Sequence, residues 1–324
     1  MSWLYFALFG FLFDATASVV DKGLLGSQRV RALSYAYFTG LTSIGVALVF
    51  PLLHWAALLL ERSGIIWRTM LDFSFTVLPT PQLALALMSG VTFIGGLYFF
   101  YRCLEESDPA RAVPLVYGVV TPILTLLFAW LFAGDVLFAN ELIAFALFAG
   151  GGLLLMIDRS QGLNHLNIAL ARNALFAGLF LAISFALTRA LYNMSEQFLL
   201  AFVWARLGSV LGGLILLLLP VHQEDGALTQ AHRTINPATW AVLLGNKVLG
   251  AIGFLSFNVA LSTGPAALVN ALAGTKYFFV FILTLVLPVR LQHLIVRGSN
   301  ALTQKLIGVA LISVGVYLLY YFTP

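Results

Sequence analysis

The chain has 324 residues, of which 61% are hydrophobic and only 9% are charged. Soluble domains carry roughly a quarter charged residues, so this composition excludes a water-soluble globular protein and predicts an integral membrane protein. The net charge of +4 is spread along the chain without a basic tract, which gives no support for nucleic-acid binding. The single cysteine, Cys103, excludes an intrachain disulfide and a thiolate metal cluster.

Most apolar runs reach about 20 residues, the length at which an α-helix crosses the hydrocarbon core of a bilayer. We predict ten such helices and no barrel strands. In chain order they span residues 3–20, 33–59, 83–104, 110–132, 141–157, 172–193, 198–219, 237–263, 266–287 and 305–322. Residues 61–82 mix tryptophan, phenylalanine and sparse charges, which predicts a helix lying at the membrane interface.

Two long segments of the chain resemble each other. The segment from Gly95 to Ile157 is echoed from Gly250 to Tyr320, with Pro109 set on Pro265 and small residues in register on either side. A hydropathy and glycine pattern that occurs twice indicates a duplication.

The first and sixth predicted helices also match when Lys22 is set on Arg189, so the repeat unit is five helices. We assign residues 1–158 to the first repeat and residues 172–324 to the second. Because five is an odd number, the second repeat enters the membrane in the opposite orientation. The predicted fold is therefore all-α and membrane-integral, with ten transmembrane helices in two inverted five-helix repeats.

Basic residues are unevenly distributed between the predicted loops. Odd-numbered loops hold about eleven lysines and arginines and even-numbered loops about three, and basic loops tend to stay in the cytoplasm. This bias predicts that both chain termini lie outside.

Three local patterns carry a family resemblance. They are the DKGLL end of the first predicted helix, the A-x-x-V-P entry to the fourth at Ala110–Pro114, and the glycine-rich fifth and tenth helices. With these patterns the chain resembles the drug/metabolite transporter superfamily, in its EamA-type branch of bacterial carriers. The resemblance implies a multi-pass protein of the cell inner (plasma) membrane that moves its substrate by alternating access.

The chain departs from the family pattern in two respects. Family members often carry Gly-Glu where this chain has Gly134 and Asp135. Members also commonly have both termini in the cytoplasm, so the resemblance and the count of basic residues disagree on the orientation.

Four charged residues are predicted at bilayer depth, where a charge facing lipid costs at least a few kcal/mol. From the helical rise, Asp14 lies about 16 Å into the first helix and Arg206 about 13 Å into the seventh. Lys247 and Lys276 lie about 15 Å into the eighth and ninth helices. The surplus of positive charge predicts a central aqueous cavity that binds a small anionic or zwitterionic metabolite. Asp14 is also the candidate for a coupling proton.

The alternative for these charges is structural. Asp14 then pairs with one lysine to hold the bundle together, while the other cations extend toward an interface.

Uncharged residues near the charged ones complete the candidate substrate-binding site. They are Asn246, Asn270, Tyr117, Trp204 and Tyr277. Buried amides also hold membrane helices together by hydrogen bonds, and aromatic side chains also pack or face lipid, so each of these residues has a structural alternative.

Enzyme motifs are absent from the sequence. The five histidines have no metal-binding spacing, and neither a phosphate-binding loop nor a serine elbow occurs. We therefore predict a secondary transporter without enzymatic activity, cofactor or metal, whose partners are the lipid bilayer, a small-molecule substrate and a coupling proton or counter-substrate. The alternatives are a flippase for a lipid-linked or amphipathic anion and, in another class, a membrane-embedded enzyme acting on a phosphorylated head group.

Overall fold

The structure, a computed structural model, describes residues 2–25, 32–46, 48, 76–106, 114–156, 168–218, 237–276, 279, 283 and 302–322. Every regular element in these ranges is helical, and no β-strand occurs in them. The predicted all-α class is confirmed for this part of the chain.

The helices of the described ranges are labelled in chain order. They are α1 (Ser2–Leu25), α2 (Ala32–Thr42), α3 (Thr80–Glu106), α4 (Thr121–Ala133), α5 (Ala139–Met156), α6 (Ile168–Met194), α7 (Phe198–Leu218), α8 (Pro237–Thr263), α9 (Ala266–Ala271) and α10 (Leu302–Phe322). A π-helical segment, Pro114–Val120, leads into α4, and a 3₁₀ turn, Leu272–Gly274, follows α9.

Five stretches within these helices are long and apolar enough to cross a membrane, as judged over the described residues. They are Thr80–Glu105, Leu115–Ala133, Ile168–Met194, Phe198–Leu218 and Leu244–Thr263. The chain therefore has the character of a multi-pass membrane protein. Ten spans, arranged as inverted repeats, remain a prediction. The predicted interfacial helix lies mostly outside the described residues, and so does the junction between the two repeats.

The entry to α4 is irregular because of two prolines. Pro114 and Pro122 lack the amide hydrogen that an α-helix needs in its interior, and the chain forms π-helical geometry between them. At its other end α4 stops at Gly134, whose φ of 68° lies in the left-handed region that favours glycine.

Helices from the two halves of the chain pack against each other. α1 packs against α8, α3 against α6, α2 against α7, and α5 against α10. Glycines allow the closest of these approaches. A Cβ atom at Gly10 of α1 would lie 2.9 Å from the carbonyl oxygen of Gly253 in α8, and a Cβ at Gly253 equally close to that of Gly10. The two halves therefore form one bundle.

The ninth helix differs from its prediction. A continuous helix was expected over residues 266–287. In the structure α9 ends at Ala271 and a 3₁₀ turn follows, after which the described residues 275, 276, 279 and 283 are again α-helical. In this turn Gly274 meets Gly152 of α5 so closely that a Cβ at Gly152 would lie 2.8 Å from the Cα of Gly274. The 3₁₀ turn, which is wound more tightly than an α-helix, thus occurs where the backbones of α5 and the ninth helix are in contact. Most of the remaining predicted helix lies outside the described residues.

Candidate functional site

Asp14 and Lys276 form an ion pair between the two halves of the chain. The Oδ2 atom of Asp14, in the middle of α1, lies 2.7 Å from the Nζ atom of Lys276, which follows the 3₁₀ turn after α9. The Lys276 side chain is 21% exposed and the Asp14 side chain 48% exposed. The structure thus brings together two of the four charges predicted at bilayer depth. The pairing of Asp14 with one lysine also agrees with the structural alternative for these charges.

The position of Asp14 on α1 shows what its carboxylate faces. Ala7, Gly10 and Phe11 are buried and form the protein-facing stripe of α1. Asp14 follows them at spacings of seven, four and three residues, so it lies on the same stripe. Phe9, on the opposite side, is an exposed apolar residue. The Asp14 carboxylate therefore lies on the protein-facing stripe of α1 and is about half exposed, at 48% of its side chain.

Lys247 is held by the aromatic side chains of α2 and α3. Its Nζ atom donates a hydrogen bond to the Tyr35 hydroxyl at 3.1 Å and lies 4.4 Å from the centre of that ring. Tyr35 in turn meets the ring of Tyr101 edge-on, with 4.9 Å between the ring centres. The ammonium group of α8 is thereby fixed against the N-terminal half of the chain.

Arg206 lies in a cage of phenylalanine rings from three helices. Its Cζ atom is 5.0 Å from the ring centre of Phe93 in α3, 5.6 Å from that of Phe202 in α7, and 4.3 Å from that of Phe254 in α8. The residue is only 5% exposed. Among the described residues no hydrogen bond reaches the guanidinium, and its Nε atom is fully buried without a partner.

The two candidate amides are both buried. Asn270 donates from Nδ2 to the carbonyl oxygen of Ala266, one turn earlier in its own helix, at 2.9 Å. Such a bond within a helix agrees with the structural alternative for Asn270. Asn246 lies one residue before Lys247 on α8 and is 5% exposed.

The candidate aromatic residues are separated in the structure. Tyr117, in the π-helical segment, meets Phe100 of α3 edge-on with 4.9 Å between the ring centres. Trp204 donates from its indole nitrogen to the carbonyl oxygen of Thr76 at 3.0 Å, just before α3. Tyr277 lies outside the described residues.

A second ion pair, more buried than the first, was not predicted from the sequence. Arg189 of α6 lies 3.3 Å from Asp135, which follows α4, and also donates to the carbonyl oxygens of Leu261 and Ser262 at 3.0 and 2.9 Å. Asp135 accepts the backbone N–H of Ala266 at 3.0 Å. We call these two side chains the Asp135–Arg189 clasp. They supply hydrogen-bond partners to backbone carbonyl groups at the end of α8 and to a backbone N–H at the beginning of α9.

Two features of the sequence could have indicated this clasp. Gly134 before Asp135 is a helix-stop signal that fixes the turn carrying the carboxylate. Arg189, which aligns the repeats and is one of the basic residues counted in the even-numbered loops, falls near the end of its predicted helix.

The described residues supply groups suited to holding a charged ligand. They offer an ion pair, a caged guanidinium and an ammonium group beside a phenol. Within the same residues, no three histidine, cysteine, aspartate or glutamate side chains gather as metal ligands.

No protein-family model and no curated protein matches the chain. Its fold does match solved structures, 13 chains in all. One of them, described as "Crystal structure of protein", has a TM-score of 0.66 at 16% identity, with 98% of this chain and 96% of that chain covered. At this identity the likeness shows the fold alone: the chain has the same overall fold as that protein over nearly its whole length.

Proposed function

We propose that the protein is a secondary transporter that moves a small anionic or zwitterionic metabolite across the membrane by alternating access. The observation that carries the proposal is the Asp14–Lys276 pair. Its carboxylate is half exposed on the protein-facing stripe of α1, at a depth where a charge in lipid is costly. Water and a polar substrate in a central chamber account for charge at this depth.

The proposed architecture is ten transmembrane helices in two inverted five-helix repeats. The repeat derived from the sequence sets α1 on α6 and α3 on α8. The observed contact of α1 with α8 then corresponds to that of α6 with α3. The contacts of α2 with α7 and of α5 with α10 each map onto themselves. Any two-fold axis that relates the two repeats gives such contacts, which supports the duplication. The odd number of helices in each repeat is what places the proposed axis in the membrane plane.

The family and the location belong to the same proposal. The DKGLL and A-x-x-V-P patterns and the glycine-rich helices support membership of the EamA-type drug/metabolite transporters. That membership implies the cell inner membrane as the location, and transport without a cofactor.

Transport is tested by counterflow into proteoliposomes preloaded with a pool of anionic and zwitterionic metabolites. Wild-type protein should accumulate one or more labelled compounds. Lys276→Ala should lower this exchange at least tenfold, because the cation that faces the substrate and neutralises Asp14 is lost.

The control variant is Arg102→Ala, which removes a cation from a loose surface pair, 4.0 Å from Glu105 and 41% exposed. This variant should exchange labelled metabolites as the wild type does. Both variants should elute from a size-exclusion column as folded protein. Undiminished exchange by folded Lys276→Ala would remove Lys276 from the site. Failure of the wild type to exchange any compound would refute the transporter proposal for the substrate classes in the pool.

A further inference from the structure

The surroundings of Arg206 leave its hydrogen-bond donors unused. A guanidinium carries five N–H donors and no acceptor. The rings of Phe93, Phe202 and Phe254 face the positive charge, and their quadrupoles compensate part of its desolvation. Aromatic ring faces do not replace hydrogen-bond acceptors that lie in the plane of the guanidinium. Among the described residues no such acceptor reaches the guanidinium, and its Nε atom is fully buried without a partner. A buried donor without an acceptor is unfavourable.

The caged guanidinium and Asp14 lie at the same level along α8. Phe254, whose ring is nearest to Arg206, follows Gly253 on α8. A Cβ atom at Gly253 would lie 3.1 Å from the backbone nitrogen of Asp14. One turn of α8 therefore contacts α1 at Asp14 on one side and the guanidinium on the other.

Polar groups border the cage on one side. Tyr192 of α6 donates its hydroxyl hydrogen to Oδ1 of Asn258 at 2.9 Å. Asn258 donates in turn to the carbonyl oxygen of Phe254 at 2.8 Å. These bonds connect a polar side chain of α6 to the backbone of Phe254, the residue whose ring lies nearest to Arg206.

We infer that Arg206 and its phenylalanine cage form a subsite for the carboxylate of a substrate with a flat apolar body. The planar fork of the guanidinium matches a carboxylate, which accepts two parallel hydrogen bonds and neutralises the single positive charge. The flat body replaces the phenylalanine faces that now cover the guanidinium. A phosphate dianion fits less well, because its second charge would face phenylalanine rings. This inference rests on the proposed carrier function and specifies its substrate class.

The probes for this subsite are benzoate, its uncharged analogue benzamide, the cation benzylammonium, and inorganic phosphate. They are added to the purified full-length protein in detergent at pH 7, and the thermal unfolding midpoint is recorded against concentration. Benzoate should raise the midpoint in a saturable manner, and the other three should not. Equal shifts with benzoate and benzamide would overturn the subsite without any variant having to fold.

Two variants then test Arg206 itself. Arg206→Gln removes the charge, and Arg206→Lys keeps the charge but loses the fork, so each should weaken benzoate binding at least tenfold. Arg102→Gln should bind benzoate as the wild type does. Unchanged benzoate affinity in either folded Arg206 variant would refute the assignment. If exchange depends on Lys276 but benzoate does not bind, the subsite is wrong and the carrier proposal stands.

Discussion

Two ion pairs in this chain differ in how far water reaches them. In the Asp135–Arg189 clasp the side chains are 10% and 15% exposed, and both also bond to backbone groups. Arg102 and Glu105 are 41% and 38% exposed and 4.0 Å apart. Breaking a buried pair leaves an uncompensated charge and costs about 3–5 kcal/mol, whereas an exposed pair contributes about 0–1 kcal/mol.

We therefore expect Asp135→Ala to lower the thermal unfolding midpoint in detergent far more than Arg102→Ala does. The substitution leaves the Arg189 guanidinium without its counter-ion and the N–H of Ala266 without its acceptor. Equal midpoints for the two variants would show that the clasp does not stabilise the fold.

The depth of a residue in its helix can be read from the sequence, but its partners in other helices cannot. Asp14, Arg206 and Lys276 were selected by depth alone, since an apolar run fixes how far a charge lies from the membrane surface. The partner of Asp14 could have been any of three cations. Phe202 stands four residues before Arg206 in the same helix, so the sequence alone predicts that these two side chains are neighbours. Phe93 and Phe254 come from other helices and are brought in only by packing.

Helix crossings depend on particular glycines. A Cβ atom at Gly90 of α3 would meet the backbone of α7 at Ala205 and Ser209, and one at Gly208 of α7 would lie 2.6 Å from the carbonyl oxygen of Leu87. The backbones of α3 and α7 therefore touch without intervening side chains, as is common in membrane bundles. Gly150 of α5, in contrast, would have nothing within 4 Å of a Cβ.

Gly90→Ala should separate α3 from α7 and destabilise the protein by roughly 1–3 kcal/mol, as overpacking does elsewhere. Gly150→Ala is the matched control. It should be neutral or stabilising, because alanine is the better helix former by about 1 kcal/mol. The comparison uses thermal midpoints in one detergent, and an unchanged midpoint for Gly90→Ala would contradict the close crossing.

Local sequence signals predict where α7 and α8 begin, but they predict only one of the two helix irregularities. Pro237 marks the start of α8 and Phe198 that of α7, and both are observed at those residues. The break before α4 also had a local signal in its two prolines. The 3₁₀ turn after α9 had none, because it accompanies contact with Gly152, a residue distant in sequence.

Polar contacts between the halves of the bundle occur at both of its ends. At one end Gln304, near the start of α10, donates to the carbonyl oxygen of Leu154, near the end of α5, at 2.7 Å. Three more lie at the other end, where α3 begins and α6 finishes. The Asp135–Arg189 clasp lies there, Asn193 donates to the last carbonyl of α4 at 3.3 Å, and Gln82 donates to the carbonyl oxygen of Met194 at 2.8 Å. These contacts tie the end of the bundle where α3 begins and α6 finishes.

A water-filled chamber at mid-depth is the claim on which transport depends, and thiol labelling tests it most directly. Cys103, the single cysteine, is first replaced by serine. Asp14→Cys is then compared with Phe9→Cys, because both side chains are exposed in the bundle but lie on opposite stripes of α1. Both proteins are reconstituted in liposomes and treated with a charged, membrane-impermeant methanethiosulfonate, before and after permeabilisation.

Only an ionised thiol in contact with water reacts readily with this reagent. The cysteine at position 14 should therefore react at least tenfold faster than the cysteine at position 9, which faces lipid. Equal rates, or a faster reaction at position 9, would contradict a central aqueous chamber and with it the proposed transport mechanism.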